Sequence, residues 1–258
     1  MGLFGKRKKY NQQRQIIVEE SAHRAGLYGY TRLKDNLLYI NSDGTHKVVQ
    51  VESAMSHECK TSVCANLAVS LGLTDKKVVI VDLDLRRPRM HRLFMQEKAD
   101  GIAEFMKGEL TEDEIIKHTE YQNVDLITRG AEIYNPSLVF VSEKFKGRIE
   151  HLREKYDFVF LDCAPILQTS DYIHIGKISD GVLYLVAYGI TTRSQVSDAV
   201  KELKKNEIPI LGTVFTMYDR KKDGYYGYYG KYYDEIYSDD KKKSKKKGKV
   251  AEEEPAEE

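Results

Sequence analysis

No apolar run in this 258-residue chain approaches eighteen residues, so the sequence offers no helix able to span a bilayer. The opening Met1-Gly2-Leu3-Phe4-Gly5-Lys6 is polar and lacks the hydrophobic region of a signal peptide. Gly2 would suit myristoylation, but Lys6 stands where that motif wants Ser or Thr. Cysteine is scarce. Three thiols, an odd number with no C-x-x-C pair, fit a reducing compartment and argue against a disulfide framework. Net charge is nearly absent as well: the 31% charged fraction cancels to a formal +1, so bulk charge selects neither nucleic acid nor an acidic ligand. There is no internal repeat. These absences lead to the expectation of one cytoplasmic α/β domain with two tails.

The charge that is present is segregated. Lys6-Arg7-Lys8-Lys9 opens the chain, Lys241 to Lys249 forms a basic run broken only by Ser244 and Gly248, and Glu252 to Glu258 is mostly acidic. Such runs are solvated ends in most proteins. The sharper alternative is a place beside an anionic leaflet, where each basic residue contributes about 1 kcal/mol. The resulting division is a basic segment over 1–18, a core domain over 19–217 and a Tyr-rich, charged tail over 218–258.

Three stretches carry chemistry. Val78-Val79-Ile80-Val81 reads as a strand buried on both faces, followed by Asp82 and Asp84 at period-two spacing and by Arg86-Arg87-Pro88. Carboxylates belong at the carboxyl end of such a strand, where open α/β sheets place their ligands. A second strand, 47–51, leads into Ala54-Met55-Ser56-His57-Glu58-Cys59-Lys60-Thr61-Ser62 and then an apolar helix. Strand, loop, Lys-Thr and helix follow the order of a phosphate-binding loop, with Ala54 and Cys59 at its two glycine positions. In such a loop the lysine reaches phosphates, the hydroxyl ligates magnesium and backbone N–H groups cradle the anion. The third stretch, Phe158-Val159-Phe160-Leu161-Asp162, again ends in an aspartate, the expected magnesium-side residue of a P-loop NTPase. The fold expected from these three strand ends is a P-loop NTPase, a mostly parallel sheet with helices on both faces.

Helices are expected at 20–38, 88–96, 111–118, 137–155, 171–178 and 193–206, and further strands at 124–128, 157–162, 181–187 and 210–215. Cys64 is expected in the core, whereas Cys59, Cys163 and His57 stand near the loop with too few ligands for a closed metal site.

The chain resembles the bacterial tyrosine kinases (BY-kinases) of capsule and exopolysaccharide synthesis, in their soluble Gram-positive form. The resemblance covers roughly residues 20–237. It rests on Asp82, Asp84, Arg86 and Pro88, on Asp162 and Pro165, on the stretch Gly101 to Glu109, on Asn135-Pro136-Ser137, on Ser179 to Val186, and on a tyrosine-rich tail. That tail sets Tyr225, Tyr226, Tyr228, Tyr229, Tyr232, Tyr233 and Tyr237 among Gly224, Gly227 and Gly230, a pattern with no helix or strand period.

The resemblance implies an ATP- and Mg2+-dependent autokinase that phosphorylates this tyrosine cluster in trans. Under it, Lys60 clamps phosphates, Thr61, Asp84 and Asp162 serve the metal, Asp82 accepts the tyrosine proton and Arg86 neutralises phosphate charge. It further implies a transmembrane polysaccharide co-polymerase as activator, a cognate tyrosine phosphatase, a homo-oligomer, and a place at the inner face of the membrane without nucleic acid. Two departures stand out. Ser56-His57 and Cys59 replace the family's proline-glycine pair and second glycine, and the E-x-x-R-x-x-R oligomerisation motif falls on Tyr28, Thr31 and Lys34. The alternatives are an ATP-binding-impaired regulatory relative and a partitioning-type ATPase.

Overall fold

Alternating burial builds the centre of the structure. A computed structural model of the chain describes residue 16 and residues 24–218, and every side chain of β1 (Val48–Ser53) and β2 (Val78–Asp82) is buried in it. Val78 and Ile80 face one core cluster while Val79 and Val81 face another, as the period of two requires. β5 (Phe158–Asp162) repeats the pattern, with Phe158 and Phe160 on the first side and Val159 and Leu161 on the second. A strand with two buried faces needs helices on both, and the chain supplies them.

The remaining strands are β3 (Lys117–His118), β4 (Val124–Ile127), β6 (Gly181–Ala187) and β7 (Ile210–Thr216). They join in the order β3-β4-β2-β5-β1-β6-β7, parallel throughout except for the antiparallel β3/β4 pair. This is the mostly parallel, doubly covered sheet that the sequence leads one to expect. On one face lies α2 (Lys60–Gly72), buried along almost its whole length and covered by α1 (Arg24–Ile40). α6 (Glu143–Lys155) packs on β5. Tyr172 of α7 (Asp171–Gly176), with Ala199 and Leu203 of α8 (Arg193–Lys205), closes a third cluster against β6. The helix starts are chemically marked. Thr192 and Gln195 cap each other reciprocally at α8, with N–H to oxygen distances of 3.2 and 2.9 Å.

Several expected boundaries move. The helix expected over 137–155 is two helices, α5 (Pro136–Val141) and α6, because Ser142 turns extended and spends its hydroxyl capping Phe145 N–H at 3.2 Å. The helix expected over 111–118 does not form. Thr111 and Glu114 make a cap-like contact at 2.7 Å, but Lys117 and His118 then pair with Leu126 and Asp125 at the sheet edge. The helix expected over 88–96 shrinks to the single turn α3 (Met90–Leu93), closed by Met95 at positive φ. α4 (Ile102–Lys107) was not anticipated. It is fastened by Glu104, whose carboxylate accepts the Gly101 and Ala131 N–H groups, and a Cβ at Gly101 would lie 2.1 Å from the Thr128 carbonyl oxygen. Residues 20–23 of the first expected helix lie outside the described residues. Among the described residues no helix is long and apolar enough to cross a membrane.

Candidate active site

Parallel pairing aligns the carboxyl ends of β1, β2 and β5, and all the motif residues follow from that alignment. Val51 pairs with Asp162, and Asp82 pairs with the same Asp162 from the other side. The loop after β1 therefore starts beside the strand that ends in Asp162. Loop residues Ala54 to Cys59 connect β1 to α2, whose first residues are Lys60, Thr61 and Ser62.

This loop keeps the left-handed turns of a glycine-bearing phosphate loop without the glycines. His57 has φ +67° and Cys59, the N-cap of α2, has φ +68°. Both are the positions where the resembled family has glycine. A non-glycine residue in that region costs about 1–2 kcal/mol, so the loop carries strain at two points. His57 is exposed, with Nδ1 3.1 Å from Ser56 Oγ, while Cys59 is half-buried against the α1 side of the core. Burial raises the Cys59 thiol pKa, which keeps it protonated and inert.

What holds the strained loop is Glu58. It is fully buried; its carboxylate accepts the Met55 N–H at 3.3 Å and the Thr191 hydroxyl at 2.5 Å. Its carbonyl oxygen accepts the Thr216 hydroxyl at 3.2 Å. The loop is thereby tied to the ends of β6 and β7. Lys60 folds back over the loop start, donating to Ser53 Oγ at 2.8 Å and to the Met55 carbonyl at 3.4 Å.

The two strand-end aspartates are buried. Asp82 Oδ2 accepts the Arg89 and Met90 N–H groups at 3.1 and 3.0 Å, while its Oδ1 and both oxygens of Asp162 have no hydrogen-bond partner. Burial, then the neighbouring Asp162, pushes Asp82 well above the ordinary carboxylate range. Burial likewise pushes Asp162 up to about 7, opposed by the Thr61 hydroxyl and by Lys60. Thr61 is close enough to act on Asp162 electrostatically, although neither carboxyl oxygen keeps a hydrogen bond of ordinary geometry. Two buried carboxyls with orphaned oxygens and raised pKa values call for a cation. Among the described residues no three His, Cys, Asp or Glu side chains converge as a closed metal site.

Asp84 and Arg86 stand further out. Asp84 is half-buried in the loop after β2, where it accepts the Arg87 N–H at 3.0 Å. Arg86 is already engaged: its guanidinium reaches the buried carboxylate of Asp171 at 3.2 Å, which also accepts the Ser137 hydroxyl at 3.0 Å. Asp171 thus joins the loop after β2 to the start of α5. Cys64 and Cys163 are both buried, the latter donating to the Leu161 carbonyl at 3.3 Å. The seven tail tyrosines lie outside the described residues.

Sequence reasoning did not single out Glu52, Glu58's anchoring role, Thr191, Thr216 or Asp171. Glu52 had a signal, a charge continuing the Val48-Val49-Gln50-Val51 strand. The partners of Glu58 had none, since they lie 133 and 158 residues away. A cavity of about 580 Å³ lined by Lys77, His118, Tyr121, Asn123, Asp125 and Tyr156 opens at the opposite, amino-terminal end of the strands. There Asp125 accepts from Tyr156 at 2.6 Å and pairs with His118 at 2.7 Å, and no motif residue lines it.

Comparison with known proteins agrees with this geometry. Residues 47–211 match the family described as an AAA domain. The tyrosine-protein kinase wzc of Salmonella typhi is 30% identical over 224 residues, 86% of this chain. The chain spans 31% of that relative's length. The tyrosine-protein kinase YwqD of Bacillus subtilis is 28% identical over 218 residues, covering 84% of this chain and 92% of the relative. The kinase domain of the Escherichia coli tyrosine kinase ETK superposes with a TM-score of 0.75 at 26% identity, covering 82% of each chain. With its phosphate loop, its paired strand-end aspartates and these relatives, the chain belongs to the bacterial tyrosine kinase family, built on an AAA-type nucleotide-binding domain.

Proposed function

We propose that this protein is an ATP-dependent protein-tyrosine autokinase acting in capsule or exopolysaccharide synthesis. The observation that carries the reading is the pair Asp82 and Asp162, buried carboxyls with orphaned oxygens at adjacent strand ends, next to Lys60 and Thr61 at the start of a helix. Loop N–H groups from Ala54 to Ser62 would cradle the phosphates, and Lys60 would swing from Ser53 and Met55 to reach them. Mg2+ would supply charge neutralisation of the phosphates, with Thr61, Asp84 and Asp162 as its protein-side residues. Asp82 would accept the tyrosine hydroxyl proton in its carboxylate form, which burial and Asp162 disfavour in the ligand-free protein and a bound cation would favour. It is fully buried, so the site must open around it when substrate enters. Arg86 would contribute to phosphate binding only by leaving Asp171.

The acceptors in this reading are Tyr225, Tyr226, Tyr228, Tyr229, Tyr232, Tyr233 and Tyr237, presented to a neighbouring copy. The reading includes, as the family resemblance implies, a transmembrane polysaccharide co-polymerase as activator and a cognate phosphatase as antagonist, with the chain at the inner membrane face through that activator. The domain limits 19–217 and 218–258 follow from the same reading.

The test is intact mass after incubation with ATP and Mg2+, with the activator's cytoplasmic segment supplied. Phosphate should accumulate on the wild type, fail to appear on Lys60→Ala, and disappear when all seven tyrosines are replaced by phenylalanine. No phosphate on the wild type, together with measurable ATP binding, would favour an impaired regulatory relative, the reading that strain at His57 and Cys59 supports.

A further inference from the structure

Three stretches far apart in the sequence meet at one buried carboxylate. Asp171, the first residue of α7, takes the Arg86 guanidinium from the loop after β2, with Nη2 3.4 and 3.2 Å from its two oxygens, and the Ser137 hydroxyl of α5 at 3.0 Å. Arg86 and Ser137 lie 85 and 34 residues away along the chain. The ion pair is asymmetric: the Arg86 side chain is 46% exposed and that of Asp171 only 3%. Beneath Arg86 the main chain is fixed by a turn, in which the Arg87 N–H donates to the Asp84 carbonyl at 3.1 Å and to its carboxylate at 3.0 Å. The guanidinium can therefore turn outward without moving the loop. Asp171 cannot follow it, because its neighbour Tyr172 is buried in the cluster against β6. Among the described residues no other cation pairs with Asp171. A buried carboxylate deprived of its cation is strongly unfavourable, so any ligand that draws Arg86 away works against that cost.

We propose that Asp171 is a positioning residue that parks Arg86 in the resting protein, so that nucleotide phosphates must compete with a buried carboxylate for the guanidinium. Ser137 sets the terms of that competition. Its hydroxyl is the donor that stays with Asp171 once Arg86 has turned away, so α5 shares the charge of the released carboxylate. The inference rests on the nucleotide-binding reading above, in which Arg86 neutralises phosphate charge.

Calorimetric titration with Mg-ATP tests it on wild type, Asp171→Asn, Ser137→Ala, Arg86→Gln and the double variant Arg86→Gln/Asp171→Asn. Asp171→Asn keeps the shape and an acceptor for Ser137 but removes the charge. Mg-ATP should then bind roughly three- to thirtyfold more tightly, the range for one charge-assisted hydrogen bond to a half-exposed arginine. Ser137→Ala should act in the opposite direction, weakening Mg-ATP binding about two- to fivefold, because the released carboxylate keeps no donor. The gain should vanish once Arg86 is replaced, so the double variant should bind as Arg86→Gln does. A purely structural role for Asp171 predicts weaker binding for both single substitutions, with or without Arg86. If Asp171→Asn does not fold, Ser137→Ala carries the test. Unchanged or weaker Mg-ATP binding by folded Asp171→Asn, an equal gain in the Arg86→Gln background, or unchanged or tighter binding by Ser137→Ala overturns the proposal, while wild-type binding leaves the functional reading standing. Absence of nucleotide binding in every form overturns the functional reading itself, and the proposal with it.

Discussion

Asp82 and Asp162 are register partners at the ends of adjacent parallel strands, both buried, and three of their four carboxyl oxygens lack a hydrogen-bond partner. Like charges at neighbouring strand positions cannot both ionise cheaply in a dry site. The arrangement stores electrostatic stress that a bound cation would relieve.

Ligand-free stability should therefore fall as pH rises. Asp162 is raised from 3.8 to about 7 in the folded protein, so between those values the folded state holds more protons than the unfolded one. Its contribution is complete below the unfolded pKa and lost as pH approaches 7, a change of the order of a few kcal/mol. Urea unfolding of wild type and Asp162→Asn at pH 5 and pH 8 checks this. The variant should gain relative to wild type at pH 8, and Mg2+ should narrow the gap; equal pH slopes would remove the stress from the account.

Restoring glycine at the strained loop should help both folding and binding. His57→Gly and Cys59→Gly each relieve a left-handed conformation at φ +67° and +68°, against the extra chain entropy of glycine. The expected net gain is about 0.5–1 kcal/mol per site, with tighter Mg-ATP binding. Thermal unfolding and calorimetry read the two effects separately, and a loss of stability in both variants would show that the side chains are better accommodated than their dihedral angles imply.

The anchor of the loop can be cut remotely. Thr191→Val removes a hydroxyl held by the buried carboxylate of Glu58 and accepting the Ala187 N–H. Leaving such groups short of partners costs about 1–3 kcal/mol. Amide exchange at residues 55–60 should accelerate and Mg-ATP affinity should drop, although position 191 belongs to the loop after β6. Exchange unchanged at the loop would show that Met55 alone suffices to hold Glu58.

Tail phosphorylation should disperse the protein. Seven phosphotyrosines would add roughly −10 to −14 charges beside the basic run from Lys241 to Lys249. A tail so charged is repelled by nucleotide phosphates and by the aspartates of a neighbour's site. Sedimentation before and after ATP treatment should show smaller species for the wild type, no change for the form with seven phenylalanines, and a weaker effect at high salt. Identical distributions throughout would mean that the tail does not govern assembly.

Much of this was legible in the sequence because it is local. The runs Val78 to Val81 and Phe158 to Leu161 are buried on both faces, and only a sheet centre offers that, so strand, sheet type and the terminal aspartates followed together. Lys60 and Thr61 at the head of α2 needed only the order of elements. Residues 111–118 were misread because a Thr-x-x-Glu cap looks alike whether a helix follows or an edge strand captures the next residues, and β4 made that choice. Ser142 was misread because both α5 and α6 are helical on either side of it, and its capping role depends on the turn between them.

The sequence by itself determined the sheet, the phosphate loop's position and the identity of its charged residues, since burial period and residue chemistry are written along the chain. Only the tertiary structure decided their electrostatic state. Asp162 is raised by burial and held back by Thr61 and Lys60 from α2, Glu58 is fixed by Thr191 and Thr216 more than 130 residues away, and Arg86 is paired by Asp171 from α7. Coulomb and hydrogen-bond energies depend on distance through space and on the water excluded between charges, and neither quantity exists until the strands have paired.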